Sequence, residues 1–552
     1  MSALRNAWIQ YPHSDGELTY FDGISFQRKT SDHYGVLCLQ TENVPITQEP
    51  ILFHFQVDVS GSMSDTTSDG RTKMQLIIHT LTNMLHYFAE KCENGYIQVT
   101  GFDDKIHPYI APIRVTSENV VELVAILSKM RPMELTDIGM AIQQLCKDVD
   151  TDIVNIPRRR RVGILLTDGE PTVGIQSSKE LAALVPEDIS ISFIALGDEH
   201  SGEVMHALGH VSPYTSNWFV DKLEHTGNVY GEIIFNELYR VSDQTHLRVK
   251  NGTIYDYVSG DFVETLNVGM LSSETCKYYH ILTNDPNSCE VEISGVLTNG
   301  NNYCSTASDM PPLILKEENI EDFPTNEALF IEKQWLRLYV QTLMSRARNI
   351  PIPSQPQLRR RVVGLQHNFT FAREPFEEPA PINASASIDF RKEIAQMTGY
   401  VAEFITMHQL EEDPLMNGVR DDLMVLERTF GTNQFIKYAG IREDSQGRQY
   451  TCNTITELPD DCCDTGHLSK PALIRSATSA YASPGRIDLM TSLSQDEDDT
   501  GHLSKPALIR SATSAYASPG RVDLMTSISQ DEDDTNTSPT SSILEVLEQY
   551  NH

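Results

Sequence analysis

One stretch constrains this chain more than any other: ILFHFQVDVSGSMSD, residues 51–65. Its first part is apolar enough to be a strand buried on both faces, and such strands belong to parallel sheets covered by helices on either side. It then breaks into Asp58, Ser60 and Ser62. A helical pattern follows in KMQLIIHTLTNMLHYFAEKC, with Met74, Ile77, Ile78, Leu81, Met84, Leu85 and Phe88 on one face, and Asn94-Gly95 turns the chain into the strand YIQVTGF. Helices near ENVVELVAILSKM and DIGMAIQQLCKDV, the strand RVGILLTDG, a short helix at SKELAALV, the strand ISISFIALG and a closing helix at GNVYGEIIFNELYRV carry the alternation to residue 240. The expected fold class is α/β, a Rossmann-like parallel sheet flanked by helices over residues 51–240.

Beyond residue 240 the period drops to two. HLRVK and TIYDY flank Asn251-Gly252, which predicts a hairpin, and VEISGVL precedes a second pair, Asn299-Gly300. Residues 241–315 therefore predict a small antiparallel β domain. The opening segment alternates too, in LTYFDGISFQRKT and HYGVLCLQTE, so residues 1–50 are expected to lend strands to that domain, with the α/β unit inserted between them. Residues 316–440 predict a helical region. One helix runs through Leu329, Leu336, Val340 and Leu343 with Thr325 or Asn326 as its cap, another through Ile394, Met397, Val401 and Phe404, and a Pro-rich linker separates them.

From residue 465 the composition shifts to Ser, Thr, Ala and Asp, and the chain repeats itself. The segment beginning at Thr465 returns at Thr500, a period of 35, differing only at Ile487 against Val522 and Leu493 against Ile528. Two copies cannot stack into a solenoid, so residues 441–552 are expected to be a largely disordered tail, removable after residue 464 with little effect on melting. Arg475 and Arg510 precede hydroxyl clusters, and Ser494 and Ser529 precede acidic runs, which are settings suited to phosphorylation.

In an open parallel sheet, ligands gather at the carboxyl ends of the strands. Asp58, Ser60 and Ser62 stand there, and a spacing of two along extended chain turns alternate side chains the same way. One carboxylate and two hydroxyls make an all-oxygen donor set suited to a hard ion such as Mg2+. Thr136, in ELTDIGMAI, opens a helix, and Asp168, in GILLTDGEP, ends another apolar strand. This set resembles the metal-ion-dependent adhesion site of von Willebrand factor type A domains, whose pattern is Asp-x-Ser-x-Ser, then a distant Thr, then a distant Asp. The resemblance covers residues 51 to about 240 and implies Mg2+ or Mn2+ bound by Asp58, Ser60, Ser62, Thr136 and Asp168, with an Asp or Glu of a partner protein completing the coordination. The family often has Gly before the Thr, where this chain has Glu134-Leu135.

The 43 basic and 77 acidic residues leave a formal charge of -34, a field that repels phosphate backbones and anionic lipid, so no nucleic-acid or membrane partner is expected. With neither a leader pattern nor a membrane span legible, the expected location is cytoplasmic. His206 and His210 have the spacing of a zinc pair but lack the intervening Glu, and surface or capping roles are expected of them. Arg158 to Arg161 reads as a solvated loop. Phosphate-loop, dinucleotide and nucleophile-elbow motifs are absent, so no enzymatic activity is expected. The function expected is a metal-dependent protein-binding scaffold. The alternatives are an adaptor in ubiquitin ligation or a chelatase-like ATPase assembly, which the same resemblance suggests.

Overall fold

The chain starts in one domain, leaves it for a second, and returns. The computed structural model describes residues 3–11, 33–47, 49–66, 70–151, 156–197, 200–220, 226–307, 327–350, 384–432 and 434–450, together with Arg486, Leu489 and Leu493. β1 (Leu4–Gln10) and β2 (His33–Thr41) pair antiparallel, and the chain then crosses to β3 (Ile51–Asp58), which is buried throughout. The expected strand in LTYFDGISFQRKT lies outside the described residues.

β3 is central in a six-stranded sheet. With β4 (Gly95–Phe102), β5 (Ile106–Arg114), β6 (Arg161–Thr167), β7 (Ser190–Leu196) and β8 (Thr215–Val220), the order is β5-β4-β3-β6-β7-β8. All pairs are parallel except β5 on β4, so the sheet is mixed. Neither β5 nor β8 was expected. Only Ile110 of β5 is buried and Ala111 to Arg114 are all exposed, which suits an edge strand and hides it from a search for buried apolar runs.

Phe53, Phe55 and Val57 of β3 join an apolar cluster with α1 (Lys73–Lys91), α2 (Val120–Leu127) and α6 (Thr226–Leu238). The opposite face of the sheet packs on α3 (Ile138–Asp150), α4 (Ser178–Ala182) and α5 (Gly202–Gly209) through Leu165, Ile191 and Phe193. The pleat sends His54, Gln56 and Asp58, all buried, to that second side.

After α6 the chain builds β9 (Arg240–Lys250), β10 (Gly252–Asp256), β11 (Asp261–Val263), β12 (Thr265–Ser272), β13 (Cys276–Thr283), β14 (Glu290–Leu297) and β15 (Asn302–Ala307). They form two antiparallel sheets, β1-β2-β13-β10-β11 and β12-β9-β14-β15, which close on a shared core of Ile9, Leu37, Leu39, Leu247, Val291 and Ile293. The second Asn-Gly makes the hairpin between β14 and β15, with Gly300 at φ 81°. The first does not. Asn251 turns the chain at φ 59°, but β9 pairs with β12 and β14 while β10 pairs with β11 and β13, so Asn251-Gly252 is a corner between sheets. A side chain at Gly252 would press on the Leu282 carbonyl at 2.7 Å, so the strand exchange itself demands glycine there.

The helical region holds four described helices where two were expected: α7 (Glu327–Asn349), α8 (Ala384–His408), α9 (Pro414–Thr429) and α10 (Phe435–Arg448). Phe330, Ile331, Trp335 and Leu338 of α7 cover the outer face of the first sandwich sheet at Trp8, Tyr34 and Val36. Its other side, Leu336, Val340 and Leu343, joins α8 to α10 on the α3–α5 side of the mixed sheet. Thr325, Asn326 and the Pro-rich stretch lie outside the described residues.

Three expectations need correction. The tail was expected from residue 441, but α10 runs on to Arg448 with Arg442, Glu443 and Asp444 buried. Arg486, Leu489 and Leu493 of the first repeat are buried as well, helical, against the α1–α6 side of the mixed sheet. Finally, the arginine run is only half solvated. Arg158 and Arg159 face solvent and pair with Asp188 and Glu49, whereas Arg160 and Arg161 are buried. Arg161 donates to the carbonyls of Ile156, Val149 and Thr151, and Arg160 to that of Glu237, so these two guanidinium groups satisfy carbonyls at the C-terminal ends of α3 and α6. No helix among the described residues is long and apolar enough to cross a membrane.

Candidate metal centre

β3 and β6 are neighbours, and the chain leaves them toward opposite edges of the sheet: β4 follows β3 on one side, β7 follows β6 on the other. Their carboxyl ends therefore bound the crevice where open parallel sheets place ligands. Asp58 closes β3, fully buried. Its Oδ1 accepts the Ser60 N–H at 2.8 Å, and its Oδ2 accepts the Thr167 hydroxyl at 2.6 Å. Asp168, one residue past β6 and also fully buried, accepts the Ser62 hydroxyl on Oδ1 at 2.7 Å and the Lys73 ammonium on Oδ2 at 2.7 Å. The Ser60 and Ser62 hydroxyl oxygens lie 3.1 Å apart. Asp58, Ser60, Ser62 and Asp168 are thus one connected group.

Thr136 is brought to the same edge by its loop. The Gly61 N–H points at the Glu134 carbonyl at 3.4 Å, and the Thr136 N–H donates to the Thr172 hydroxyl at 2.9 Å. The Thr172 N–H returns a bond to the Thr136 carbonyl at 3.0 Å. A side chain at Gly61 would meet the Met133 carbonyl at 3.3 Å, so the serine-bearing turn approaches the 133–136 loop closely only because it has none. Met133 and Leu135 stand 36% and 39% exposed on that loop.

Burial pushes the Asp58 carboxyl up to about 6; the bonds from Thr167 and Ser60 work the other way, and Asp168 adds repulsion. Lys73 brings one positive charge to two buried carboxylates. Two carboxylates, three hydroxyl residues and a deficit of positive charge fit a hard divalent cation. Thr167, Lys73 and Thr172 were missed from the sequence, and two of them had left a signal there. Thr167 is polar at the end of a buried apolar strand. Lys73 is a cation at the first position of a helix, where the macrodipole disfavours it and only a nearby anion explains it.

The second candidate pair, His206 and His210, is not on the surface. α5 brings their rings to a tilted contact with centroids 4.1 Å apart, and His210 lies 2.8 Å from the Asp444 carboxylate of α10. The His210 Nδ1–H donates to the His206 carbonyl at 2.8 Å, leaving Nε2 to face Asp444. Burial opposes charge on both partners, but each outweighs it for the other: His210 is raised and Asp444 lowered. Burial also takes His206 down to about 4, with His210 adding to the effect. The three side chains could ring a metal, but the Arg348 guanidinium sits 3.3 Å from His206 Nε2 and Arg448 adds positive charge at His210. The arrangement is an imidazolium–carboxylate ion pair in a guanidinium-rich setting.

The family model of the von Willebrand factor type A domain matches residues 54–231, and this part of the chain is such a domain: a mixed, mainly parallel sheet flanked by helices. Among solved structures the chain is similar to a von Willebrand factor type A protein from Catenulispora acidiphila, at 14% identity over 58% of this chain and 79% of that one, TM-score 0.40. It is similar also to the ArnB paralog VWA2 from Sulfolobus acidocaldarius, at 10% identity over 76% of this chain and 93% of that one, TM-score 0.40. A third is proximal thread matrix protein 1 from the mussel byssus, with a zinc-occupied MIDAS motif, at 15% identity over 36% of this chain and 47% of that one, TM-score 0.28. Comparison with curated proteins gave no match.

Proposed function

We propose that the protein is a non-enzymatic, metal-dependent protein-binding scaffold whose type A domain captures an acidic side chain of a partner. The observation that carries this reading is the connected group Asp58–Ser60–Ser62–Asp168: two fully buried carboxylates bridged by hydroxyls, at the switch point of the sheet. Asp58, Ser60, Ser62, Thr136 and Asp168 would hold Mg2+ or Mn2+. The bound ion would supply an electrophilic centre for a carboxylate ligand. The chain's own residues do the rest: β3 and β6 hold the carboxylates rigidly, and Thr167 and the Ser60 N–H orient Asp58. Met133 and Leu135, apolar and exposed beside the site, offer a partner apolar surface to bury around the metal contact.

Calorimetry with Mg2+ and Mn2+ tests the site. One ion should bind the full chain, and Asp58→Ala or Asp168→Ala should abolish binding; unchanged affinity in both variants removes the basis of the reading. Docking is tested on a captured partner. Its binding should fall on chelation with EDTA, at a temperature where the domain stays folded, and fall likewise when the partner's key Asp or Glu becomes the amide.

A further inference from the structure

The three placed residues of the first repeat are spaced as one helix face, at i, i+3 and i+7. Arg486 is buried. Its Nη1 donates to Glu232 Oε1 of α6 at 2.6 Å, its Nη2 donates to the hydroxyls of Ser272 and Thr275, the latter at 3.1 Å, and its guanidinium lies 5.0 Å from the Phe235 ring centroid. Leu489 and Leu493 enter the apolar cluster of α1, α2 and α6, and Asn83 of α1 donates to the Leu493 carbonyl at 3.3 Å. Glu232 and Phe235 belong to the type A domain, Ser272 and Thr275 to the sandwich, so the groove exists only where the two domains meet. A buried, doubly anchored arginine followed by two apolar residues on one helix face is the pattern by which grooves read helical peptides.

The same pattern occurs twice in the chain. Thirty-five residues on, Arg521, Leu524 and Ile528 repeat Arg486, Leu489 and Leu493 in type and spacing, and both differences between the repeats, Ile487 to Val522 and Leu493 to Ile528, exchange one apolar residue for another. We propose that the groove between α1, α6 and β12 is a receptor for the motif Arg-x-x-Leu-x-x-x-(Leu/Ile), and that Arg521–Ile528 of the same chain is its second, interchangeable occupant. Arg521 lies 71 residues beyond Tyr450 in the sequence against 36 for Arg486, and closing the longer loop costs more entropy. The first copy therefore holds the groove in most molecules, and whatever withdraws it brings in the second. The groove does not depend on the metal site.

Hydrogen exchange on the full chain tests this. In the variant Arg486→Glu/Leu489→Ala/Leu493→Ala, residues 521–528 should gain protection and α6 should keep it; adding Arg521→Glu/Leu524→Ala/Ile528→Ala should strip α6 of it. Protection gained in the first variant should be unchanged on tenfold dilution. In the wild-type chain, a synthetic peptide of residues 519–531, added at about millimolar concentration, should speed exchange at 486–493, and the same peptide with Arg521→Ala should not. This second measurement needs no destabilised variant. The proposal falls if 521–528 stays unprotected when the first copy is broken, or if the peptide displaces nothing. Protection that vanishes on dilution would overturn the same-chain assignment.

Discussion

Lys73 sits against the rules of its own helix. It occupies the first turn of α1, beside a Thr72–Gln75 capping box, where the dipole already supplies positive potential. What holds it is Asp168 at 2.7 Å, with Asp65 at 3.7 Å. A divalent cation held by the same carboxylate would compete with that ammonium for it. Hydrogen bonds to charged groups contribute about 1.5–3 kcal/mol, so Lys73→Met, which keeps the apolar stem, should raise Mg2+ affinity roughly tenfold or more while lowering the melting temperature of the metal-free protein. Calorimetry of the two proteins at equal ionic strength decides it, and an unchanged affinity would show that Lys73 yields at no cost.

Between elements, the His210–Asp444 pair is the contact with the clearest pH signature. His210→Ala removes the nearest cation from buried Asp444 and leaves it Arg448, so the cost, read by chemical denaturation, should lie below the roughly 3–5 kcal/mol of a fully unpaired buried charge. The raised His210 pKa adds stability that is complete below the ordinary histidine value near 6.5 and is lost as pH rises through the raised value. The lowered Asp444 pKa adds stability present above the ordinary carboxyl value and lost as pH falls through the lowered one. His206, held near 4, acts in the acid direction too: its neutral form is favoured, and stability falls as pH drops from about 6.5 toward 4. The fall of the melting temperature as pH rises above the ordinary histidine value of about 6.5 should therefore flatten in His210→Ala. Persistence of the full slope would place its origin elsewhere.

For the whole molecule, Arg486, Leu489 and Leu493 of the first repeat belong to the folded body. Truncation after residue 464 removes Arg486, Leu489 and Leu493 from buried positions. Two leucines buried at about 1.5–3 kcal/mol each set an upper bound of roughly 3–6 kcal/mol, enough to lower the melting temperature by several degrees. Calorimetric scans of the full and truncated chains measure this directly. A truncated chain that melts with the full one would mean that the contacts of Arg486, Leu489 and Leu493 contribute nothing net.

The type A domain was legible because its information is local and dense. β3 is eight consecutive buried residues, α1 repeats its apolar positions over five turns, and Asp58, Ser60 and Ser62 sit at the end of that strand in the sequence itself. Thr136 and Asp168 follow them in chain order, and Asp168 joins the group through the Ser62 hydroxyl. Tertiary structure decided what depends on pairs far apart in sequence. Whether Asn251-Gly252 joins two paired strands or two sheets depends on partners more than twenty residues away in β13 and β14. That His206 and His210 are partly buried depends on Asp444 in α10, and that Arg160 and Arg161 are buried depends on carbonyls they reach only in the folded chain. The docking of the first repeat is the extreme case. Three contact residues spread over eight positions in a polar stretch carry too little periodicity to register as a buried element. Their burial follows only from a groove assembled by α1, α6 and the sandwich, which no stretch of sequence contains.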